Sequence, residues 1–197
     1  MEVVLIQGSP RRDGSTAKTI TRLAEEFDAL GDRVHRVDVT VRLAELEDPF
    51  CVHCSDPCSA QCYHGTALER DLEKMARADA VIVGSPVYFG TLSAPLKAFW
   101  DHTRVLRSQH SLLYTVGSAF SVGAARFGGQ ETTVRAIHDM FLIQGMIVVG
   151  DSSPRGIGHQ GVALQSGESL DPSVLDRWVQ GVREVMVATH TLRAGRR

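Results

Sequence analysis

Three stretches of the chain concentrate residue types that can do chemistry. The first is Cys51-x₂-Cys54-x₃-Cys58-x₃-Cys62, four thiols within a dozen residues. Thiolates are soft ligands, and four of them satisfy a tetrahedral zinc ion or a [4Fe–4S] cluster. In a reducing compartment such spacing points to a metal or redox site more than to disulfides. Two plainer readings compete. The offsets 0, 3, 7 and 11 would also put all four thiols on one face of a helix, although Pro57 argues against an unbroken one. Alternatively, the cysteines bind nothing. His53 and His64 flank the group and read as polar loop residues, since a site of four cysteines is already complete.

The second stretch is Gly8-Ser-Pro-Arg-Arg-Asp-Gly-Ser-Thr16, which follows the apolar run Val3–Gln7 and precedes a helical pattern opening at Ala17. A strand that ends at a helix N-terminus offers unpaired N–H groups and the positive end of the helix dipole, which together bind an anion such as phosphate. Ser9, Ser15 and Thr16 add hydroxyls, and Arg11 and Arg12 add charge. The competing reading is an ordinary turn in which Ser15 or Thr16 caps the helix. The third stretch, Pro86-Val-Tyr-Phe-Gly90, sets two aromatics between a proline and a glycine. Val87, Tyr88 and Phe89 can lie against a flat ring while Gly90 lets the backbone approach; the alternative is that the aromatics are core or interface residues. Ser121-Val-Gly-Ala-Ala-Arg-Phe-Gly-Gly129 is a weaker companion, offering Ser121, Gly123 and Arg126 to a ligand edge.

The elements that must position these stretches alternate between strand and helix patterns, which predicts an α/β fold with a parallel sheet. Strands are expected at Val3–Gln7, Arg33–Val39, Ala80–Val83, Ser111–Ser118 and Gly145–Val149. The uniformly apolar third belongs in the middle of the sheet and the alternating second at an edge. Helices are expected at about Ser15–Leu30, Thr66–Ala78, Ser93–Arg104, Glu131–Gln144 and Pro172–His190. Residues Thr40–Gly65 break the rhythm, Phe120–Gly129 reads as a glycine-rich loop, and Asp151–Asp171 as a polar surface loop over a site. His138 and His190 read as solvated or capping residues. No internal repeat or linker divides the chain, so one domain over 1–197 is expected, with a cysteine-containing insertion at about 40–65. In an open α/β sheet, ligands bind beyond the carboxyl ends of the strands, where the three loops fall.

Composition bounds the rest. The 197 residues are 43% hydrophobic and 22% charged, with a formal net charge of −2, which gives no reason to expect nucleic acid. Only three of the 21 basic residues are lysines, and the tail Arg193–Arg197 reads as a frayed end. No apolar run approaches the ~20 residues that span a bilayer, and no signal-peptide pattern opens the chain. A cytoplasmic location without membrane attachment is therefore expected.

Gly8–Ala17 resembles the phosphate loop of the NAD(P)H-dependent FMN reductase family of flavodoxin-like proteins. Gly84–Thr103 is similar to that family's flavin-ring loop and following helix, and Gly128–Thr133 and Gly145–Gly150 to its later signatures. The resemblance spans residues 3–150. It implies a flavodoxin-like, doubly wound, five-stranded parallel sheet of order 2-1-3-4-5 with helices on both faces. It implies FMN, its phosphate on Ser9, Arg11, Ser15 and Thr16, its ring against Pro86–Gly90, and Ser121 and its neighbours closing the site. It further implies a hydride from NAD(P)H, with no separate catalytic side chain because the flavin carries the reaction. The cysteines lie where the iron–sulfur flavoprotein branch carries a compact motif. That branch spaces its first three cysteines by two residues each; here the third stands one place later. The expected protein is a homodimeric or homotetrameric FMN oxidoreductase exchanging electrons among NAD(P)H or a ferredoxin-like donor, flavin and a [4Fe–4S] cluster held by Cys51, Cys54, Cys58 and Cys62. Without a cluster it would reduce quinones or flavins. A non-enzymatic shuttle like flavodoxin is the third reading, weakened by the absence of strong acidity.

Overall fold

The structure, a computed structural model, describes residues 1–151 and 159–195. The chain runs β1 (Glu2–Gln7), α1 (Ser15–Ala29), β2 (Arg33–Asp38), α2 (Val39–Leu43), a 3₁₀ turn at Gln61–Tyr63 and α3 (Ala67–Arg77). It continues through β3 (Ala80–Pro86), α4 (Ala94–Asp101), α5 (Arg104–Ser108), β4 (Val116–Gly123) and α6 (Gln130–Ile143). β5 (Ile147–Val148), β6 (Val162–Gln165) and α7 (Pro172–Ala194) complete it.

The parallel sheet has the order β2-β1-β3-β4-β5, the flavodoxin-like order that the motifs imply. It carries a sixth strand that the sequence pattern does not reveal. β5 pairs with the start of β4 (Val116↔Ile147, Gly117↔Val148), and β6 pairs with its end (Phe120↔Val162 to Gly123↔Gln165). The lane beside β4 is thus filled in two pieces, and part of the expected loop Asp151–Asp171 is strand. Residues 152–158 of that loop lie outside the described residues, as do 196 and 197 of the tail.

Strict alternation along β1 divides the core. Val4 and Ile6 face the cluster built with Leu68, Leu72 and Met75 of α3, Leu96, Phe99 and Trp100 of α4, and Val134, Ile137 and Phe141 of α6. Val3 and Leu5 face Ile20, Leu23 and Phe27 of α1 and Trp178, Val182 and Met186 of α7. Side chains of period two on the strands meet helical stripes on each face. As the alternating pattern indicated, β2 is an edge strand.

Several boundaries depart from expectation: β3 runs on from Val83 to Pro86, β5 is only Ile147–Val148, and two larger differences follow. The fourth strand runs Val116–Gly123, five residues later than the pattern Ser111–Ser118, so Ser121 and Gly123 sit on a strand end rather than in a loop. All eight of its residues are buried, serines included, because their hydroxyls find partners. Ser118 Oγ donates to the Val149 carbonyl (2.7 Å) and accepts from Trp178 Nε1 (2.8 Å). Small residues are needed there: a Cβ on Gly117 would lie 2.7 Å from the Phe141 ring. The expected helix Ser93–Arg104 is broken at His102–Thr103, where Thr103 Oγ1 donates to the Trp100 carbonyl (2.7 Å) and accepts from Gln144 Nε2 (2.8 Å).

Candidate functional site

β1 is followed by Gly8, whose N–H donates to the Gly84 carbonyl of β3 (2.8 Å). No larger residue fits, since a Cβ there would meet that carbonyl oxygen at 2.7 Å and Leu96 at 3.0 Å. Gln7, buried at the strand end, then shapes the turn. Its Oε1 accepts from the Ser9 N–H, and its Nε2 donates to the Arg11 carbonyl (3.3 Å). Ser9 Oγ accepts from the Arg11 N–H (3.1 Å). The loop delivers the chain to α1 with Gly14 at the N-cap and no side-chain cap. Ser15 Oγ instead accepts from the Gly167 N–H (3.2 Å), tying the loop to the turn after β6. The capping alternative therefore fails for Ser15, and the first N–H groups of the helix are left for an anion.

The second loop is fixed to the first. Ser93 caps α4 by accepting from the Leu96 N–H (3.2 Å), and its hydroxyl donates to the Gly8 carbonyl. Ser85 Oγ accepts from the Ser93 N–H (3.1 Å), and the Val87 N–H donates to the Val122 carbonyl of β4 (2.9 Å). Tyr88 and Thr91 exchange backbone hydrogen bonds of 2.9 and 3.1 Å around a tight turn in which both Phe89 (φ +51°) and Gly90 (φ +77°) are left-handed. A fully exposed phenylalanine in that region is a strained choice, of the kind found at functional loops. Tyr88 is also exposed, so neither aromatic belongs to the core.

These loops enclose a cavity of about 300 Å³. Of the sequence-expected residues it gathers Ser9, Arg11, Ser15, Thr16, Pro86, Val87, Tyr88 and Gly123. Phe89 and Gly90 stand at the turn tip outside its lining. Ser121 is fully buried, and its hydroxyl donates to the Gln130 carbonyl (2.8 Å), so its part is to hold the β4–α6 corner. Arg126 lies in an adjoining cavity of about 500 Å³, its guanidinium 5.6 Å from the centre of the exposed Phe127 ring. Sequence reading missed Asp13, Lys18 and Ser166 in the first cavity. It also missed Gln130, whose amide donates to the Ala125 carbonyl (2.6 Å) and accepts from the Gly128 N–H (2.8 Å). The cavity lies beyond the carboxyl ends of β1, β3 and β4, with an uncapped helix terminus and hydroxyls at one side and flat apolar residues at the other. That donor set fits a phosphate-bearing planar cofactor.

All four cysteines are free thiols on one loop between α2 and α3. The helical alternative is overturned, since only the turn Gln61–Tyr63 is helical there. The backbone passes through left-handed conformations at His53 (φ +53°) and Ala60 (φ +60°). Among the described residues no three His, Cys, Asp or Glu side chains are grouped as a metal site would require. Burial, and then Cys54, Cys58 and Cys51, raises the Cys62 pKa. Four free thiols on one loop have the donor chemistry of a sulfur-rich metal centre, although the conformation described does not gather them. Cys62 Sγ lies 3.8 Å from Nδ1 of His102, whose Nε2 donates to the Pro49 carbonyl (3.1 Å). His64 pairs with Glu69 (3.0 Å) at the surface. His138, expected to be solvated or capping, is half-buried against Phe141, its Nε2 has no hydrogen-bond partner among the described residues, and burial lowers its pKa. His190 is exposed, as expected, and pairs with Asp79 (3.4 Å).

The sheet order and the loops at its carboxyl edge define a flavodoxin-like α/β protein with a cavity at the switch point. The chain belongs to the NADPH-dependent FMN reductase family, whose profile matches residues 1–160, and it is an NAD(P)H-dependent FMN oxidoreductase. It is 40% identical over 177 residues to an iron-sulfur flavoprotein of Methanocaldococcus jannaschii, covering 88% of this chain and 89% of that one. A NAD(P)H dehydrogenase (quinone) of Chromohalobacter salexigens is 42% identical over 84 residues, covering 43% of this chain and 42% of the other. The fold is similar to that of a solved NADH:FMN oxidoreductase in its apo form, with a TM-score of 0.68 at 16% identity, covering 95% of this chain and 89% of that one. No helix among the described residues is long and apolar enough to cross a membrane.

Proposed function

We propose that the chain is one FMN-binding domain with a cysteine-bearing insertion, working as an electron-transfer oxidoreductase. NAD(P)H or a ferredoxin-like carrier is the donor, and a small molecule such as a quinone is the acceptor. The observation that carries this reading is the cavity at the uncapped N-terminus of α1, walled by the phosphate-type loop and the aromatic loop. Ser9, Arg11, Ser15 and Thr16 would hold the FMN phosphate. Pro86, Val87 and Tyr88 would lie along the ring, with Phe89 and Gly90 at the turn tip and Ser121, Gly123 and Arg126 on the β4 side. FMN, when bound, accepts electrons in pairs and releases them singly or in pairs. The protein supplies placement, and no side chain is assigned an acid or base role.

Cys51, Cys54, Cys58 and Cys62 would hold a [4Fe–4S] cluster, supported by their four free thiols and by the iron-sulfur flavoprotein relative. A homodimer or homotetramer in the cytoplasm completes the reading. Anaerobically purified protein should show flavin absorption with a broad brown shoulder and contain about four iron and four sulfide per chain. A second reading, a quinone reductase without metal, draws on the partial likeness to the quinone dehydrogenase. It predicts a plain flavin spectrum with NAD(P)H-dependent quinone reduction. A colourless protein that binds no FMN on titration would defeat both.

A further inference from the structure

The cavity of about 500 Å³ lies across the β4–α6 corner from the one assigned to FMN, and its size suits a ligand site. The two cavities share a wall. Ala124 and Ser166 line the first, Gln165 and Arg126 the second, and Gln165 Nε2 donates to the Ala124 carbonyl (3.2 Å) across it. Phe127 lines the second cavity with its ring 94% exposed and the Arg126 guanidinium 5.6 Å from the ring centre. A phenylalanine left in water forgoes the burial that its ring gains in a core, and a planar group laid on it recovers that burial. Arg126 has no carboxylate partner among the described residues. Two carboxylates line the same cavity: Glu131, in the first turn of α6, and Glu168, whose Oε2 accepts from the Gln165 N–H (2.8 Å). A simple aromatic acid would be drawn by the arginine and repelled by both carboxylates. A nucleoside phosphate suits all of these groups, with its base on Phe127, a phosphate on Arg126 and ribose hydroxyls donating to carboxylate.

We propose that this second cavity takes the adenosine end of NAD(P)H, with the adenine against Phe127 and a phosphate of the dinucleotide on Arg126. The inference rests on the FMN reading above, because flavin in the first cavity is what draws the nicotinamide end across the shared wall. A dinucleotide has two ends joined by a flexible pyrophosphate, and two adjoining cavities at the carboxyl edge of the sheet can each hold one. Phe127 and Arg126 then grip the donor away from the reacting atoms. They set how tightly it binds, and Arg126 sets whether an extra 2′-phosphate is recognised.

The test follows anaerobic flavin reduction in FMN-loaded wild type, Phe127→Ala and Arg126→Ala. Three donors are compared: NADPH, NADH and reduced nicotinamide mononucleotide, which carries the nicotinamide but no adenosine. Phe127→Ala should raise the half-saturating concentration of both dinucleotides by about tenfold, the scale of one base stacked on an aromatic ring. Its reaction with the mononucleotide should not change, whereas a merely structural role would slow all three donors. Arg126→Ala should also weaken dinucleotide binding. A loss confined to NADPH puts the 2′-phosphate on Arg126, and an equal loss with NADH puts the pyrophosphate there; either supports the inference. In Phe127→Ala, an equal change with all three donors, or no change with any, would overturn it. So would an Arg126→Ala variant that loses nothing with either dinucleotide, or a wild-type protein that binds FMN yet is reduced by neither. All of those outcomes leave the FMN reading standing. A wild-type chain that binds no FMN would overturn both.

Discussion

Replacing Ser93 with alanine removes two interactions through one oxygen. The hydroxyl caps α4 at the Leu96 N–H and satisfies the carbonyl of Gly8, at a position with no solvent exposure. Loss of an N-cap costs about 1 kcal/mol. A buried carbonyl left without its donor costs roughly 1–3 kcal/mol more. The sum is about 2–4 kcal/mol, which at about 2–4 °C per kcal/mol for a chain of this size lowers Tm by roughly 5–15 °C. Because the same oxygen joins the phosphate-type loop to the aromatic loop, FMN affinity should fall together with stability, although Ser93 does not line the cavity. Urea denaturation with and without FMN, alongside flavin titration by fluorescence quenching, measures both. A loss below about 0.5 kcal/mol, the ordinary range for a surface change, with unaltered FMN affinity would refute the claim that this hydroxyl couples the loops.

Gly8→Ala should destabilise by about 1–3 kcal/mol, because the new methyl meets the Gly84 carbonyl oxygen at 2.7 Å; urea melts check it. Phe89→Asn should stabilise the FMN-free protein by about 1 kcal/mol, since asparagine tolerates the left-handed region and the phenylalanine ring has no packing to lose; calorimetry reads the gain. Asp71 gives a pH prediction. Burial raises its pKa, but hydrogen bonds from His35 (2.7 Å) and Arg42 and the charge of Arg42 outweigh burial, leaving the pKa lowered. The stability it contributes is present above the unfolded value of about 3.9 and is lost as pH falls through the folded value. Asp71→Asn should therefore lower stability at neutral pH and flatten the loss below about pH 4, as followed by denaturation across pH.

The strand order was legible through the family resemblance, and the strand–turn–helix at Gly8–Thr16 through local signals: an apolar run, a glycine–serine turn, and helical spacing from Ile20 to Phe27. The end of β4 was not. Ser118, Ser121 and Gly123 look like loop residues until their partners are known: Gln130 lies across the next turn, and Trp178 and Gln165 are distant in sequence. β6 was hidden for a related reason. Four residues with a single alternation, Val162–Gln165, become a strand only because the exposed side of β4 needs pairing. Gln7, Ser93 and Gln130 shape the site without touching its centre, and nothing in their residue types distinguishes such roles. The cysteines were conspicuous by spacing, yet spacing could not disclose that His102 packs against Cys62 and Tyr63.

α4 gives the two candidate sites a common frame. Its N-cap, Ser93, grips the phosphate-type loop through Gly8. Its C-cap, His102, touches Cys62 and holds the cysteine loop through the Pro49 carbonyl. Eight helical residues lie between them, a rise of about 12 Å. The helix is anchored along its length by Leu96, Phe99 and Trp100, the first two with no exposure. A displacement at one cap is therefore carried to the other by a rigid element rather than absorbed by a loop. This makes the two Ser93→Ala readouts separable. If α4 transmits position, the contact of Cys62 with His102 should weaken in that variant, and the reactivity of Cys62 toward a thiol reagent should change more than that of Cys54, both thiols being exposed. If the caps act independently, Cys62 should keep its wild-type reactivity while FMN affinity alone declines.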